Sequence, residues 1–143
     1  MKDQLVTSSR ACFTVIAHTM LISQGSVFLL RRHKTGVLDG WYSLPGGHME
    51  LGETTTLCAA RECCEEAGVE VENLELRRIH SYFFRGDQGL NFIFSSKNWS
   101  GSPRIAEPEV FDDGGFFLLQ ELPSKTLPWV KDAVDAYRKN QND

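Results

Sequence analysis

No apolar run in the chain approaches the roughly 20 residues that a helical membrane span requires, so no membrane partner is expected. The first ten residues, Met1 to Arg10, lack the basic start and continuous apolar stretch of a secretory signal. A mature chain beginning near Met1 and a cytoplasmic location are the expectation. Cysteine is scarce: Cys12, Cys58, Cys63 and Cys64 show neither paired CxxC spacing nor disulfide-rich density, and adjacent Cys63 and Cys64 suit no zinc knuckle. Reduced, partly buried thiols are expected. A basic excess is also missing, with 15 Lys and Arg against 19 Asp and Glu and a net charge of -4. That balance argues against a general surface for nucleic-acid polymers, and any anionic ligand must be attracted by something other than net charge. There is no internal repeat and no long linker. What is present is ordinary for a globular protein: 143 residues, 41% hydrophobic and 24% charged, enough for one domain over 1–143 with one core. Monomer and homodimer both stay open.

The pattern predicts strands over Val15 to Ile22 and Ser26 to Arg32, with Ser23, Gln24 and Gly25 as the turn. Thr35 to Gly47 holds Gly36, Asp39-Gly40 and Pro45-Gly46-Gly47 and reads as loop, with Trp41 to Leu44 a short extended piece. A helix is expected from Thr54 or Thr55 to Ala67, closed by Gly68 where a left-handed cap is wanted. Two further strands, Leu74 to Phe84 and Leu90 to Ser96, join through Arg85 to Gly89, and Phe116 to Leu119 is another candidate. A last helix starts near Pro128, with Trp129, Val130, Ala133, Val134 and Tyr137 as its apolar stripe. Helices and strands mix without strict alternation, which points to α+β or an α/β/α sandwich around a mixed sheet.

One stretch stands out chemically. On a helix at 100° per residue, Glu62, Glu65 and Glu66 share about a 100° arc. Ala59, Ala60, Cys63 and Ala67 lie on the other side and allow close packing. Like charges at these spacings cost an isolated helix roughly 0.2–0.5 kcal/mol per pair, and the helix dipole disfavours anions in its C-terminal half. Two readings stay open on the residues alone. One is a solvated acidic face. The other is a divalent cation, for which clustered hard oxygen ligands are the requirement.

The segment resembles the Nudix box, G-x5-E-x7-R-E-U-x-E-E-x-G-U with U aliphatic. All seven fixed positions are present, as Gly47, Glu53, Arg61, Glu62, Glu65, Glu66 and Gly68. At a background usage of roughly 7% per residue, coincidence at a given start is about 10⁻⁸. Cys63 stands at an aliphatic position, a departure that touches packing more than chemistry because cysteine packs as a small hydrophobe. By order of elements the resemblance covers Val15 to Tyr137, and Leu44-Pro45-Gly46-Gly47 matches the family's approach to the box. It implies an α+β, Nudix-type α/β/α sandwich with a mixed central sheet, in the MutT-like branch.

The resemblance further implies hydrolysis of a pyrophosphate bond in a nucleoside diphosphate derivative, a small-molecule nucleotide, with Mg2+ or Mn2+ as cofactor. Its metal ligands would be the Gly46 carbonyl and Glu62, Glu65, Glu66 and Glu107, the last because Trp99-x-Gly101-x-Pro103-x-x-x-Glu107 follows the MutT-like spacing. Glu62 is the first choice of general base, with Glu53, Glu66 and Glu107 as candidates; Arg61 would orient the glutamates and Arg32 would lie over substrate phosphates. His18, His33, His48 and His80 have no mutual metal spacing and receive no catalytic role. Thr126 or Lys125 falls where MutT-like enzymes that cleanse oxidised purine nucleotides carry a base-reading asparagine, which weakens that assignment. Phe83, Phe84, Phe92, Phe94 and Trp41 are candidate stacking surface, although alternating aromatics on strands more often face a core. The competing reading is a Nudix-like module that senses a nucleotide or ADP-ribose without cleaving it; such a module is expected to lose glutamates, and none is lost here. Structural calcium is weaker still, since no EF-hand loop is present.

Overall fold

Gln24 and Gly25, at φ of 50° and 74°, fold β1 (Thr14–Ser23) onto β2 (Ser26–Arg32) through the two-residue turn that positive φ at both positions permits. The computed structural model describes residues 10–141. The two strands pair only beside the turn, Ile22 with Val27 and Ser23 with Ser26. They then part. On the edge of β1 that β2 leaves, β4 (Gly46–His48) pairs instead, Ile16 with His48, Ala17 with Gly47 and His18 with Gly46. β2 continues against β3 (Tyr42–Ser43) and β9 (Phe111–Leu118). This fork in the sheet leaves a cleft between β4 and the end of β2.

The other edge of β1 runs parallel to β7 (Asp87–Ser96), from Thr14 beside Gly89 to Leu21 beside Ser96, and β7 pairs antiparallel with β6 (Glu75–Phe84). One parallel pair among antiparallel ones makes the expected mixed sheet. A small second sheet joins β5 (Glu70–Glu72) to β8 (Asn98–Ser100).

Three expectations need correction. The connection after Phe84 is not five residues: Arg85 and Gly86 both take positive φ and close a tight turn, so β7 begins at Asp87 and Phe84 pairs with it. β9 starts at Phe111, not Phe116, because β2 supplies partners from Arg32 to Ser26 along its whole length; that ladder overrides the weak strand preference of Asp112, Asp113, Gly114 and Gly115. The stretch read as loop up to Gly47 opens β4, whose partner β1 lies far back along the chain, while β3 falls within the extended piece expected over Trp41 to Leu44.

Alternation along β1 sends Met20 and Ile22 to one face and Ala17 and Leu21 to the other. Both faces are covered, which is why His18 to Ile22 are all buried. α1 (Thr55–Ala67) covers one face with Cys58, Ala59, Cys63 and Ala67. α2 (Pro128–Gln141) covers the other with Val130, Ala133, Val134 and Tyr137, the expected stripe. Together they form the α/β/α sandwich. Thr54 caps α1 by accepting from the Leu57 N–H at 3.1 Å, and Gly68 ends it in the left-handed region at φ 70°. Such a threonine cap contributes roughly 1 kcal/mol. Of the free thiols, Cys58 and Cys63 are buried while Cys12 and Cys64 are exposed. No helix among the described residues is long and apolar enough to cross a membrane.

Candidate active site

β4 and α1 face each other across the fork, and two glycines set their separation. The Gly46 N–H donates to Glu66 Oε1 at 3.0 Å. A Cβ on Gly47 would stand 2.5 Å from Glu62 Oε2, so only glycine lets that carboxylate lie against β4. The neighbouring Gly46 backs onto β1, where a Cβ would overlap the His18 ring. Burial pushes the Glu66 carboxyl up to about 8, against the pull of the Gly46 N–H and with help from the charges of Glu62 and Glu107. Burial also raises Glu62, assisted by Glu65 and Glu107 and opposed by Arg61. Removing two carboxylates from water without a cation is costly, so the pair is poised to accept a proton or a positive ion.

Arg61 ties the rest together. Its Nε meets Glu53 Oε2 at 2.6 Å and its Nη2 meets Glu53 Oε1 at 3.1 Å, a two-point clasp. Nη1 reaches Glu62 Oε2 at 3.1 Å and Glu65 at 3.2 Å, and Nη2 also donates to the His48 carbonyl at 3.0 Å. The clasp holds the Glu53 carboxyl below the usual range. In return, the carboxylates raise the guanidinium well above its ordinary value. One planar cation thus links β4, the loop carrying Glu53, and two turns of α1.

Beyond α1 the chain returns to stitch itself to the helix end. The Ala106 N–H donates to the Glu66 carbonyl and the Arg104 N–H to the Ala67 carbonyl, both at 3.0 Å. Glu107 follows directly, its own carbonyl accepting from Val110 and Phe111, and its carboxyl is raised mainly by burial. The expected glutamates therefore converge on one rim of the cleft. They do not converge on one point: among the described residues, no three His, Cys, Asp or Glu side chains form a group that could hold a metal ion as they stand. Arg61 occupies oxygens of Glu53, Glu62 and Glu65. Glu65, paired with Arg61, is 47% exposed. The donor chemistry, carboxylates with a backbone carbonyl beside them, fits a hard divalent cation.

The NUDIX domain model matches residues 13–138, nearly the whole described chain. The chain belongs to the Nudix hydrolase superfamily. Its similar relatives include the NAD-capped RNA hydrolase NudC of Chromobacterium violaceum, 34% identical over 78% of this chain and 41% of that protein. The NudC of Pseudomonas aeruginosa is 36% identical over 73% of this chain and 36% of its own length. The chain thus spans about two-fifths of these relatives. Among solved structures, a MutT NUDIX hydrolase from Burkholderia pseudomallei superposes with a TM-score of 0.83 at 24% identity, covering 88% of this chain and 98% of that one. At that identity the likeness is one of fold.

On this Nudix fold, Arg32 stands at the end of β2. Its Nε donates to the Val37 carbonyl at 2.9 Å, which holds the guanidinium in place, and its charge is felt at Glu66. Thr126 is buried with its hydroxyl given to the Pro123 carbonyl at 2.7 Å, and Lys125 Nζ lies 5.4 Å from the centre of the Trp41 ring. Phe94 is core, whereas Phe83 is 74% exposed. Sequence reasoning missed one feature altogether, a buried polar chain on the α2 face. His18 Nδ1 lies 2.9 Å from Asn91 Oδ1, and Asn91 Nδ2 lies 3.2 Å from His80 Nε2. Trp129 packs against the His18 ring at 4.6 Å between centroids. No local signal marks it, since His18 and Asn91 are 73 residues apart.

Proposed function

We propose that this Nudix pyrophosphohydrolase, as one domain over 1–143, cleaves the pyrophosphate bond of a nucleoside diphosphate derivative, a nucleoside triphosphate or a related nucleotide. The observation that carries the reading is the pair Glu62 and Glu66, both desolvated, with Glu62 in the space a side chain on Gly47 would need and Glu66 held by the Gly46 N–H. Gly46 through its carbonyl, with Glu62, Glu65, Glu66 and Glu107, would hold Mg2+ or Mn2+. Such an ion, when bound, neutralises charge on the phosphates and lowers the pKa of attacking water. Glu62 accepts the proton of that water, its proton affinity raised by burial. Glu53, Glu66 and Glu107 remain candidate bases, though Arg61 holds the proton affinity of Glu53 down. Arg61 positions Glu53, Glu62 and Glu65, and Arg32 offers its planar fork to phosphate oxygens.

The likeness to NAD-capped RNA hydrolases favours including a second substrate type, a dinucleotide pyrophosphate such as NAD or an RNA end that carries it. Net charge of -4 disfavours a long polymer. The test is turnover of a panel with magnesium: nucleoside triphosphates, dinucleoside polyphosphates, nucleotide sugars, NAD and NAD-capped RNA. At least one should be hydrolysed, and Glu62→Gln should slow it by roughly 10² to 10⁴. No turnover of any member, with tight binding of one, would replace the enzyme by a sensing module.

A further inference from the structure

The chain of hydrogen bonds through Asn91 has a direction, and one carbonyl sets it. His80 Nδ1 lies 3.2 Å from the Ser81 carbonyl, which can only accept, so the ring carries its proton on Nδ1. His80 Nε2 is then an acceptor, and Asn91 must turn its Nδ2 toward it. Asn91 Oδ1 is left facing His18 Nδ1, which must therefore be the N–H. A neutral imidazole has one N–H, so His18 Nε2 carries a bare lone pair. No described residue meets that nitrogen. It is not sealed in either: the one enclosed side-chain polar atom without a partner among the described residues is Thr19 Oγ1.

The place of this lone pair gives it a use. His18 pairs with Gly46 across the ladder between β1 and β4, and its ring edge fills the space where a Cβ on Gly46 would stand. In the reading above, which this inference rests on, the pyrophosphate lies at Gly46. α1 packs beside Gly46 on one face of the sheet, and we place the nucleoside half on the other, at the margin of α2 where His18 keeps 9% of its surface exposed. There it meets His18 with Trp129 beside it. Phosphate oxygens only accept, so the lone pair repels them and welcomes a donor; the flat indole suits a base more than a sugar.

We propose that His18 determines specificity: its Nε2 accepts an N–H from the edge of the substrate's nucleobase, with the tautomer fixed by Asn91 and His80. A site built to bond a donor discriminates against an analogue lacking it, because the site's own polar group is left unpaired.

Three readouts test this. Long-range ¹H–¹⁵N NMR of the imidazoles should show His18 as the Nδ1–H tautomer; the Nε2–H tautomer overturns the proposal whatever the enzyme hydrolyses. Next come nucleoside monophosphate pairs differing in one N–H: AMP and purine riboside monophosphate, CMP and its counterpart without the 4-amino group, UMP and its N3-methyl form. Adding the preferred member should move the His18 nitrogen signals, and removing its N–H should weaken binding about 10- to 100-fold. This arm needs no turnover, so failure of the hydrolase reading and failure of the subsite are told apart. Finally, His18→Phe should bind both members of the pair within about three-fold of each other, and His80→Phe, at a half-buried position nearer the surface than His18, should erode the preference even if the first variant does not fold. Discrimination that survives both variants, or that follows the ribose hydroxyls in deoxy analogues, overturns the assignment.

Discussion

Glu66 shows how much a single buried carboxylate can govern. Burial pushes its carboxyl up to about 8 from an ordinary 4.5. The native state therefore binds this proton more tightly than the unfolded chain. The associated stability is fully present below the unfolded value and is lost as pH rises through the folded one. Thermal unfolding in chelator should show Tm falling from about pH 5 to about pH 9, with a loss on the order of a few kcal/mol. Glu66→Gln should flatten that slope, and magnesium should raise Tm more at the alkaline end. An equal slope in the variant assigns the dependence to other groups.

At the scale of elements, the C-terminus of α1 and the segment that returns to it act as one unit. Gly68 takes φ 70°, and a Cβ there would overlap the Arg104 guanidinium, which donates to the Gly68 carbonyl at 3.2 Å. Gly68→Ala should cost about 1–2 kcal/mol for a non-glycine residue in the left-handed region, read as a lower denaturant midpoint. It should also loosen the stretch that presents Glu107. Glu107→Ala acts at the other end of that stretch. The magnesium concentration for half-maximal rate should rise and the maximal rate should fall, because a carboxylate contributes both charge and position. A wild-type rate across the whole magnesium titration would make Glu107 a bystander and direct attention to Glu109, which lies close enough to influence it.

For the whole molecule, the two faces of the sheet carry separate cores. Met20, Ile22 and Leu29 lie under α2 and pack with its Val134, and Leu21, Phe28 and Leu30 lie under α1 and pack with its Cys63. Neither depends on an ion for its packing, and a fold of this size buries enough apolar surface to stand on its own. Chelation should therefore abolish turnover reversibly while circular dichroism and the unfolding transition persist. Cooperative unfolding on chelation would mark the acidic cluster as a structural site.

What the sequence determined by itself is local in origin. The box helix was legible from Thr54 to Gly68 because caps and the 3.6-residue period are written within a dozen neighbouring positions. The shared face of Glu62, Glu65 and Glu66 follows from the same period. The fold class followed from the mixture of periods and from the box. Only the tertiary structure decided which carboxylates lose water: Glu62 and Glu66 do so because β4 brings Gly46 and Gly47 against α1, a contact across 20 residues for Gly46 and Glu66. It also decided that Arg61 clasps Glu53, eight positions away and off the helix. Strands β4, β5 and β8 were invisible in the sequence, as three-residue patterns hold no period and their pairing is long-range. The polarity of His18 lay furthest from view, since it is set through Asn91 and His80 by the carbonyl of Ser81, atoms that only the parallel pairing of β1 with β7 places in line.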